Sequence, residues 1–374
     1  MEYKCQNCNG SMEFDSKTQK LICPWCGASY DPAAYDQAMQ AQQQGQQAPQ
    51  GAAASGADGE APQVGTFNEN QTLEMGQTQQ WNVNDDGLMS YVCKNCGGEV
   101  VGDDTLASTN CPYCDSPIIR NDQFSGMLKP ELLIPFKIDK KTAKEKLNEF
   151  VSSKKLVPPV FKNQKHIDEI KGVYVPFWLF DAECFAEAKF SATRTRTVPN
   201  GEEIEHFDVY RSGELTFEGI PVDAASKMED AMMDSIEPFD MSEAVAFSTA
   251  YLAGFMADKY DVSPEDCMKR GLQRIRSSAE QVLGDSLHEF NTHSMEQSNV
   301  EVHKSASHYA LLPVWILNTT WNGNQYRFAM NGQTGKFIGD LPYDKSLYKK
   351  YFLRTAIVTA LIVFAVCFFI WWIR

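Results

Sequence analysis

Two copies of a paired-cysteine pattern, a long stretch mixing helical and alternating periodicities, and a terminal apolar run together predict the architecture. The expected fold class is two small four-cysteine modules, an α+β domain built on an antiparallel sheet, and one C-terminal transmembrane helix. The chain has 374 residues, of which 43% are hydrophobic, enough for one sizeable folded domain beside the modules and the tail.

Eight of the 11 cysteines form Cys5-x2-Cys8-x14-Cys23-x2-Cys26 and Cys93-x2-Cys96-x14-Cys111-x2-Cys114. A Cys-x2-Cys pair wraps a tight knuckle around a metal, and two knuckles complete a tetrahedral four-sulfur site with no open position. That chemistry points to structural Zn2+, one ion per module, ligated by Cys5, Cys8, Cys23 and Cys26 and by Cys93, Cys96, Cys111 and Cys114. The modules read as rubredoxin-like/zinc-ribbon units, and Cys23-Pro24-Trp25-Cys26-Gly27 resembles a rubredoxin knuckle, although its fourteen-residue gap is shorter than rubredoxins use and fits a ribbon. Iron, a redox Cys-x-x-Cys and disulfides are the rival uses of such cysteines. Tyr3 to Gly10 aligns with Tyr91 to Gly98, and Cys-Pro-Trp-Cys with Cys-Pro-Tyr-Cys, so the second module repeats the first. Modules this small bury too little to fold unaided, so metal binding must supply the folding free energy.

Residues 1–30 are expected to form ribbon one and 88–120 ribbon two, joined by a flexible linker over 31–87. Its run from Gln37 to Gly65 is Gln, Ala, Gly and Pro, which builds no core.

The α+β domain is assigned to 121–343. Helices are predicted at Lys140–Ser153 behind a capping Asp139, over Met241–Tyr260, and from Ser263-Pro264-Glu265-Asp266 to about His288, where Met268, Leu272, Ile275, Ala279, Val282 and Leu283 make one stripe. Strands are predicted at Gly172–Phe180 and Ala310–Leu317. Their shared Pro-x-Trp core suggests a duplicated helix-then-hairpin unit. Asn322-Gly323 signals a type I′ hairpin leading to Gln325–Met330, and Ile204–Ile220 reads as another hairpin turning at Ser212-Gly213.

Thr355 to Ile373 contains no charge, proline or glycine, and at 1.5 Å per residue spans about 28 Å, close to the hydrocarbon thickness. The transmembrane helix is assigned to 355–373 behind a basic juxtamembrane segment, 344–354. Lys345, Lys349, Lys350 and Arg354 precede the span and only Arg374 follows, so the positive-inside rule places the N-terminal bulk in the cytoplasm of a single-pass, tail-anchored protein.

The net charge of −15 argues against a phosphate backbone as partner, and neither ribbon offers a basic face. No catalytic constellation emerges. His288-Glu289-x3-His293 and His303-x4-His308 have the wrong spacing for a helical zinc site, Glu229-Asp230 and Glu301 show no acid/base pairing, and Gly332-x2-Gly335 lacks the lysine of a phosphate loop. Cys184, Cys267 and Cys367 read as buried apolar residues.

Together the two cysteine sets, GVYVPFWLFD at 172–181, AYLAGFMADKYD at 250–261, MNGQTGKFIGDLP at 330–342 and the terminal span resemble bacterial TFIIB-type zinc-ribbon membrane proteins associated with SPFH-domain (flotillin-like) proteins. The resemblance implies a membrane-bound adaptor without enzymatic activity that recruits an SPFH-domain protein and related stress factors, with a second membrane subunit as a further partner. The expected function is therefore a scaffold in which the α+β domain docks partners and the tethered first ribbon samples them at raised effective concentration. A membrane-linked nucleic-acid or replication factor is the competing class.

Overall fold

The computed structural model describes residues 3–36, 38, 74–75, 80–81, 88–102, 110–114, 116, 118–121, 127–162, 169–199 and 201–373. The linker expected over Gln37–Gly65 lies outside these, apart from position 38.

Ribbon one carries β1 (Glu13–Asp15), β2 (Lys20–Ile22) and β3 (Ser29–Tyr30), an antiparallel three-stranded sheet of its own. Ribbon two carries β4 (Met89–Cys93), β5 (Glu99–Gly102) and β6 (Ile118–Asn121). Next come β7 (Leu132–Leu133), α1 (Lys140–Ser153), β8 (Lys171–Val198), β9 (Gly201–Asp223) and α2 (Asp230–Ile236). The chain ends with β10 (Met256–Asp258), α3 (Pro264–Asp285), β11 (Thr292–Trp321), β12 (Asn324–Asn331), β13 (Phe337–Gly339) and α4 (Lys345–Ile373).

The middle of the sheet is β8 paired antiparallel with β9 on one side and β11 on the other. At 28 and 30 residues these central strands would each exceed about 90 Å if straight. Their bases are buried on both faces. Tyr174, Trp178, Leu311 and Trp315 belong to one core with ribbon one, α1 and α3, while Val173, Val175, Phe177, Leu312 and Val314 belong to a second core with ribbon two and α2. Beyond Phe180 the sheet becomes an arm. Its Ala182, Cys184, Ala186, Ala188 and Phe190 face α3, while Glu183 and Glu187 face water on the other side. Alternation in the arm gives way to a continuous apolar run at the base because only the base is covered twice.

The duplicated unit has a counterpart in the sheet register. Pro176 pairs with Leu311 and Pro313 with Tyr174, so a local twofold exchanges the two Pro-x-Trp segments. Proline cannot donate to a ladder, which normally excludes it from central strands. Both prolines sit where a return chain departs: Pro176 accepts from Ala224 N–H at 2.9 Å and Pro313 from Gly332 N–H at 2.8 Å.

Several predicted elements are present. Asp139 accepts from the Thr142 N–H, Ser263 accepts from the Asp266 N–H with Pro264 opening α3, and Asn322 (φ 51°) and Gly323 (φ 80°) make the turn between β11 and β12. Two expectations fail. Met241–Tyr260 is no helix but two 3-10 turns, Met241–Glu243 and Thr249–Leu252, with Val245–Ala246 and β10 drawn into strand pairing. Gly254 at φ +84° breaks the segment, and pairing with β7, β8 and β5 overrides its helical propensity. Ile204–Ile220 does not turn at Ser212-Gly213 either; it runs straight inside β9, and the reversal lies at Val198–Gly201, where Gly201 takes φ +141°.

The first ribbon is not held apart from the head. Phe14 packs on Tyr251 and Phe255, its N–H donates to Ala253 O at 3.1 Å, Gln19 Nε2 donates to Phe136 O at 2.8 Å, and Lys17 pairs with Asp139 at 2.9 Å. Burial of Phe14, Met12 and Leu21 against the head outweighs the freedom the linker would give. Part of the 31–87 stretch is likewise structured: Glu74–Met75 pairs with β11, and Gln80–Trp81 with Met127–Leu128.

Helix α4 begins at Lys345 and runs through the expected juxtamembrane segment into the apolar run without a break. It is long and apolar enough to cross a membrane, and its apolar side chains, among them Phe364 and Leu361, are exposed on all sides.

Candidate metal centres

The four knuckles share one backbone design. The N–H of the leading cysteine donates to the residue five positions on, from Cys5 to Gly10 O (2.8 Å), Cys23 to Ala28 O (2.9 Å), Cys93 to Gly98 O (2.9 Å) and Cys111 to Ser116 O (2.8 Å). The turn then needs a left-handed residue directly after the second cysteine, supplied by Asn9 (φ 60°), Gly27 (φ 73°) and Gly97 (φ 72°). This explains why Asn or Gly follows the pair at those positions.

All four sulfurs in each set lie within 4.8 Å of one another. Across the knuckles, Cys5 and Cys26 are 3.4 Å apart, Cys8 and Cys23 3.4 Å, Cys93 and Cys114 3.5 Å, and Cys96 and Cys111 3.6 Å. A disulfide needs about 2.0 Å, whereas a tetrahedral ion with sulfur at about 2.3 Å spaces its ligands about 3.8 Å apart. The cysteines are free, and the donor set fits a thiophilic metal ion. A tetrahedral ion held by all four sulfurs would have no position left for a substrate.

Local hydrogen bonds prepare one thiolate per site. Burial pushes the Cys5 thiol up, but the Asn7 and Cys8 N–H groups, Cys26 and Tyr30 outweigh it and bring the pKa down to about 6. Burial likewise opposes ionisation of Cys114, yet Ser116, Asn95 and Cys93 bring it to about 6. Cys26 is pushed up to about 12: the Ala28 N–H favours its thiolate, but the neighbouring Cys5 and Cys8 outweigh it. A bound cation relieves that crowding.

The sites differ in setting. In ribbon two, β5 pairs with β10, which lies beside β8, so the site is continuous with the main sheet. Tyr113, between Cys111 and Cys114, is buried and donates its hydroxyl to Asp258, itself 2% exposed. Burial, with Asp261 adding to it, raises Asp258 to about 7 despite the Tyr113 hydrogen bond. In ribbon one the corresponding Trp25 is 80% exposed and lies against Gly10.

The other candidate side chains converge on no ion. His288 lies in a turn and His293 on β11, where its ring meets Phe190 edge-on. His308 sits between Glu131 (2.9 Å) and Asp181 (3.2 Å); burial disfavours its charge, but the two carboxylates raise its pKa. Glu229 occupies the N-cap position of α2 without a side-chain cap, Asp230 pairs with Arg270 at 3.0 Å, and Glu301 lies exposed on the arm. Cys184 and Cys267 are buried between β8 and α3, and burial pushes Cys267 up to about 12. Cys367 lies on α4, exposed. Gly332 carries no phosphate-binding turn: its carbonyl accepts from Lys137 and Ile138, and a Cβ there would strike Phe136 at 2.6 Å. Sequence reasoning missed the Tyr113–Asp258 couple. Its only signal was an aspartate ending the apolar Phe255-Met256-Ala257 run.

Fold and sites define a class: a protein with two four-cysteine clusters able to hold a metal ion, one built into a large mixed sheet and one docked beside it, followed by a helix of membrane-spanning character. The chain is 33% identical over 235 residues, 62% of its length and 69% of the relative's, to the uncharacterized protein YdjG of Bacillus subtilis (strain 168), and it belongs to the family of that protein. No family model and no solved structure matches.

Proposed function

We propose that the protein is a membrane-anchored, cytoplasm-facing scaffold that holds a protein partner at the bacterial membrane, with structural Zn2+ in both ribbons. The observation that carries this reading is a pair of four-cysteine sites joined to one sheet, one built into it through β5 and the other docked on it through side chains, in a body that also bears the exposed apolar α4. Closed sites give shape and leave no coordination position for a reaction, while α4 fixes location. Four thiolates around a divalent ion, in a chain expected to sit in a reducing compartment, favour zinc. The sequence resemblance makes an SPFH-domain protein the leading partner and envelope stress the setting. The acidic charge of −15 weighs against nucleic acid.

The test is extraction of the full chain from membranes in mild detergent after nuclease treatment, with metal analysis and identification of co-purifying proteins. Two zinc ions per chain and an SPFH-type protein are expected. Iron in the sites would remove the zinc assignment, and recovery of only polymerase, helicase or nucleic acid would remove the scaffold reading.

A further inference from the structure

The two edges of the arm are built differently. Along β11 the register slips at Glu183/Cys184 and at Lys189/Phe190, leaving His303 and Glu296 as extra residues in two bulges. Bulges twist an edge away from incoming strands and are a common protection against pairing. On the other side β9 pairs, among the described residues, with β8 alone. From Ala182↔Phe217 to Val198↔Gly201 its register is unbroken, and positions 201–217 contain no proline and no lysine. A long, straight edge without a bulge, proline or lysine presents a row of backbone donors and acceptors.

That edge has a sign and a pattern. Glu202, Asp208 and Glu214 lie on the open face beside the exposed Ile204 and Tyr210, Glu203 and Glu205 lie on the α3 side, and the edge's one cation, Arg211, is already held by Glu289 and Ser286. Lys189 and Arg196 reach Asp208 and Glu205, but among the described residues Glu202, Glu203 and Glu214 form no ion pair. On the α3 side, Phe207, Leu215 and Phe217 are half-buried and border the edge.

We propose that β9 receives an extended segment of a protein partner by strand addition, the segment alternating apolar residues toward α3 with Lys or Arg toward the open face. Backbone hydrogen bonds supply affinity in such pairing, and alternate side chains supply specificity. Charge selects against the other occupants: the chain's own 37–87 stretch contains no Lys or Arg, and a second copy would bring the same acidic edge. The inference rests on the reading that the head docks a protein, and names where.

The test uses the full metal-loaded chain in detergent micelles and a fluorescent twelve-residue peptide of alternating lysine and valine. Binding is followed by anisotropy and by hydrogen exchange. Protection confined to 201–217, at least tenfold weaker binding of a glutamate–valine peptide, and at least tenfold loss in Glu202→Lys/Glu214→Lys are expected. Metal content and melting temperature of that variant report that its fold is intact. No binding, equal binding of both peptides, or protection elsewhere overturns the proposal. A dimer whose edge is protected before peptide is added overturns it in favour of a second copy. If a partner co-purifies equally with wild type and variant, only the edge assignment falls; if the peptide binds the edge but no protein co-purifies, only the scaffold reading falls.

Discussion

Ribbons one and two repeat the same cysteine spacing, yet the aromatic residue inside the second knuckle is solvent-facing in one and sealed in the other: Trp25 is 80% exposed and Tyr113 is 2% exposed. The difference follows from how each module joins the head. Ribbon two contributes β5 to the main sheet and plugs Tyr113 onto Asp258. Ribbon one keeps a private sheet and docks through side chains, with Phe14 on Tyr251 and Gln19 on Phe136. A duplicated module can thus be absorbed into a core in one copy and stay a docked accessory in the other, with its cysteine spacing unchanged.

The strongest way to break this contrast is to empty each site in turn. Cys93→Ser/Cys96→Ser and Cys5→Ser/Cys8→Ser should each lower the metal content by one ion per chain. Only the first should collapse the shared sheet, at a cost above about 4 kcal/mol by denaturant unfolding, because β5, β10 and the second core are lost together. Equal losses would mean that the modules are equivalent.

Glycine replacements sharpen it. A Cβ on Gly98 would lie 3.2 Å from Tyr113, which is clamped by Asp258, so Gly98→Ala should cost about 1–3 kcal/mol. A Cβ on Gly10 would lie 2.6 Å from Trp25, but that indole is free to swing into water, so Gly10→Ala should cost under about 1 kcal/mol despite the closer approach. Thermal melting of the two variants checks the order.

Titration gives a third test. Asp258 has a folded pKa of about 7, above the ordinary carboxylate range, so the folded state binds the proton more tightly than the unfolded one. Its contribution is full at pH below about 4 and is lost as the pH rises through 7. This carboxyl on its own therefore withdraws stability across that window, at about 1.4 kcal/mol for each pH unit between the unfolded and folded values. The raised pKa of His308 acts in the same direction, with its contribution lost as the pH rises above 6.5. Asp258→Asn keeps an acceptor for Tyr113 and should remove this part of the pH dependence, read as the difference between wild-type and variant unfolding free energies at each pH. The smallest effect belongs to ribbon one: Lys17→Ala breaks an exposed pair with Asp139 and should leave the melting temperature nearly unchanged.

Much of this was legible in the chain. Cysteine spacing gave both sites, because a metal knuckle is a local structure. The caps Asp139 and Ser263 and the Asn322-Gly323 turn were readable for the same reason. What escaped was set by distant pairing. Met241–Tyr260 has helical composition, but its ends are claimed by strands far away in sequence. Ser212-Gly213 looks like a turn, yet β9 passes straight through it because β8 offers an unbroken ladder. The docking of ribbon one could not be read either, since nothing in Phe14 or Gln19 announces Tyr251 or Phe136.

The start of α4 has a mechanical corollary. Asp344 donates its N–H to Leu156 O at 2.8 Å while its carboxylate accepts from the Ser346 N–H at 2.7 Å, so the residue pinned to the head is also the one that caps the helix. No swivel separates the two. If α4 leans to match a thinner or thicker bilayer, the head must lean with it, turning lipid thickness into an angle at which the arm meets its surroundings.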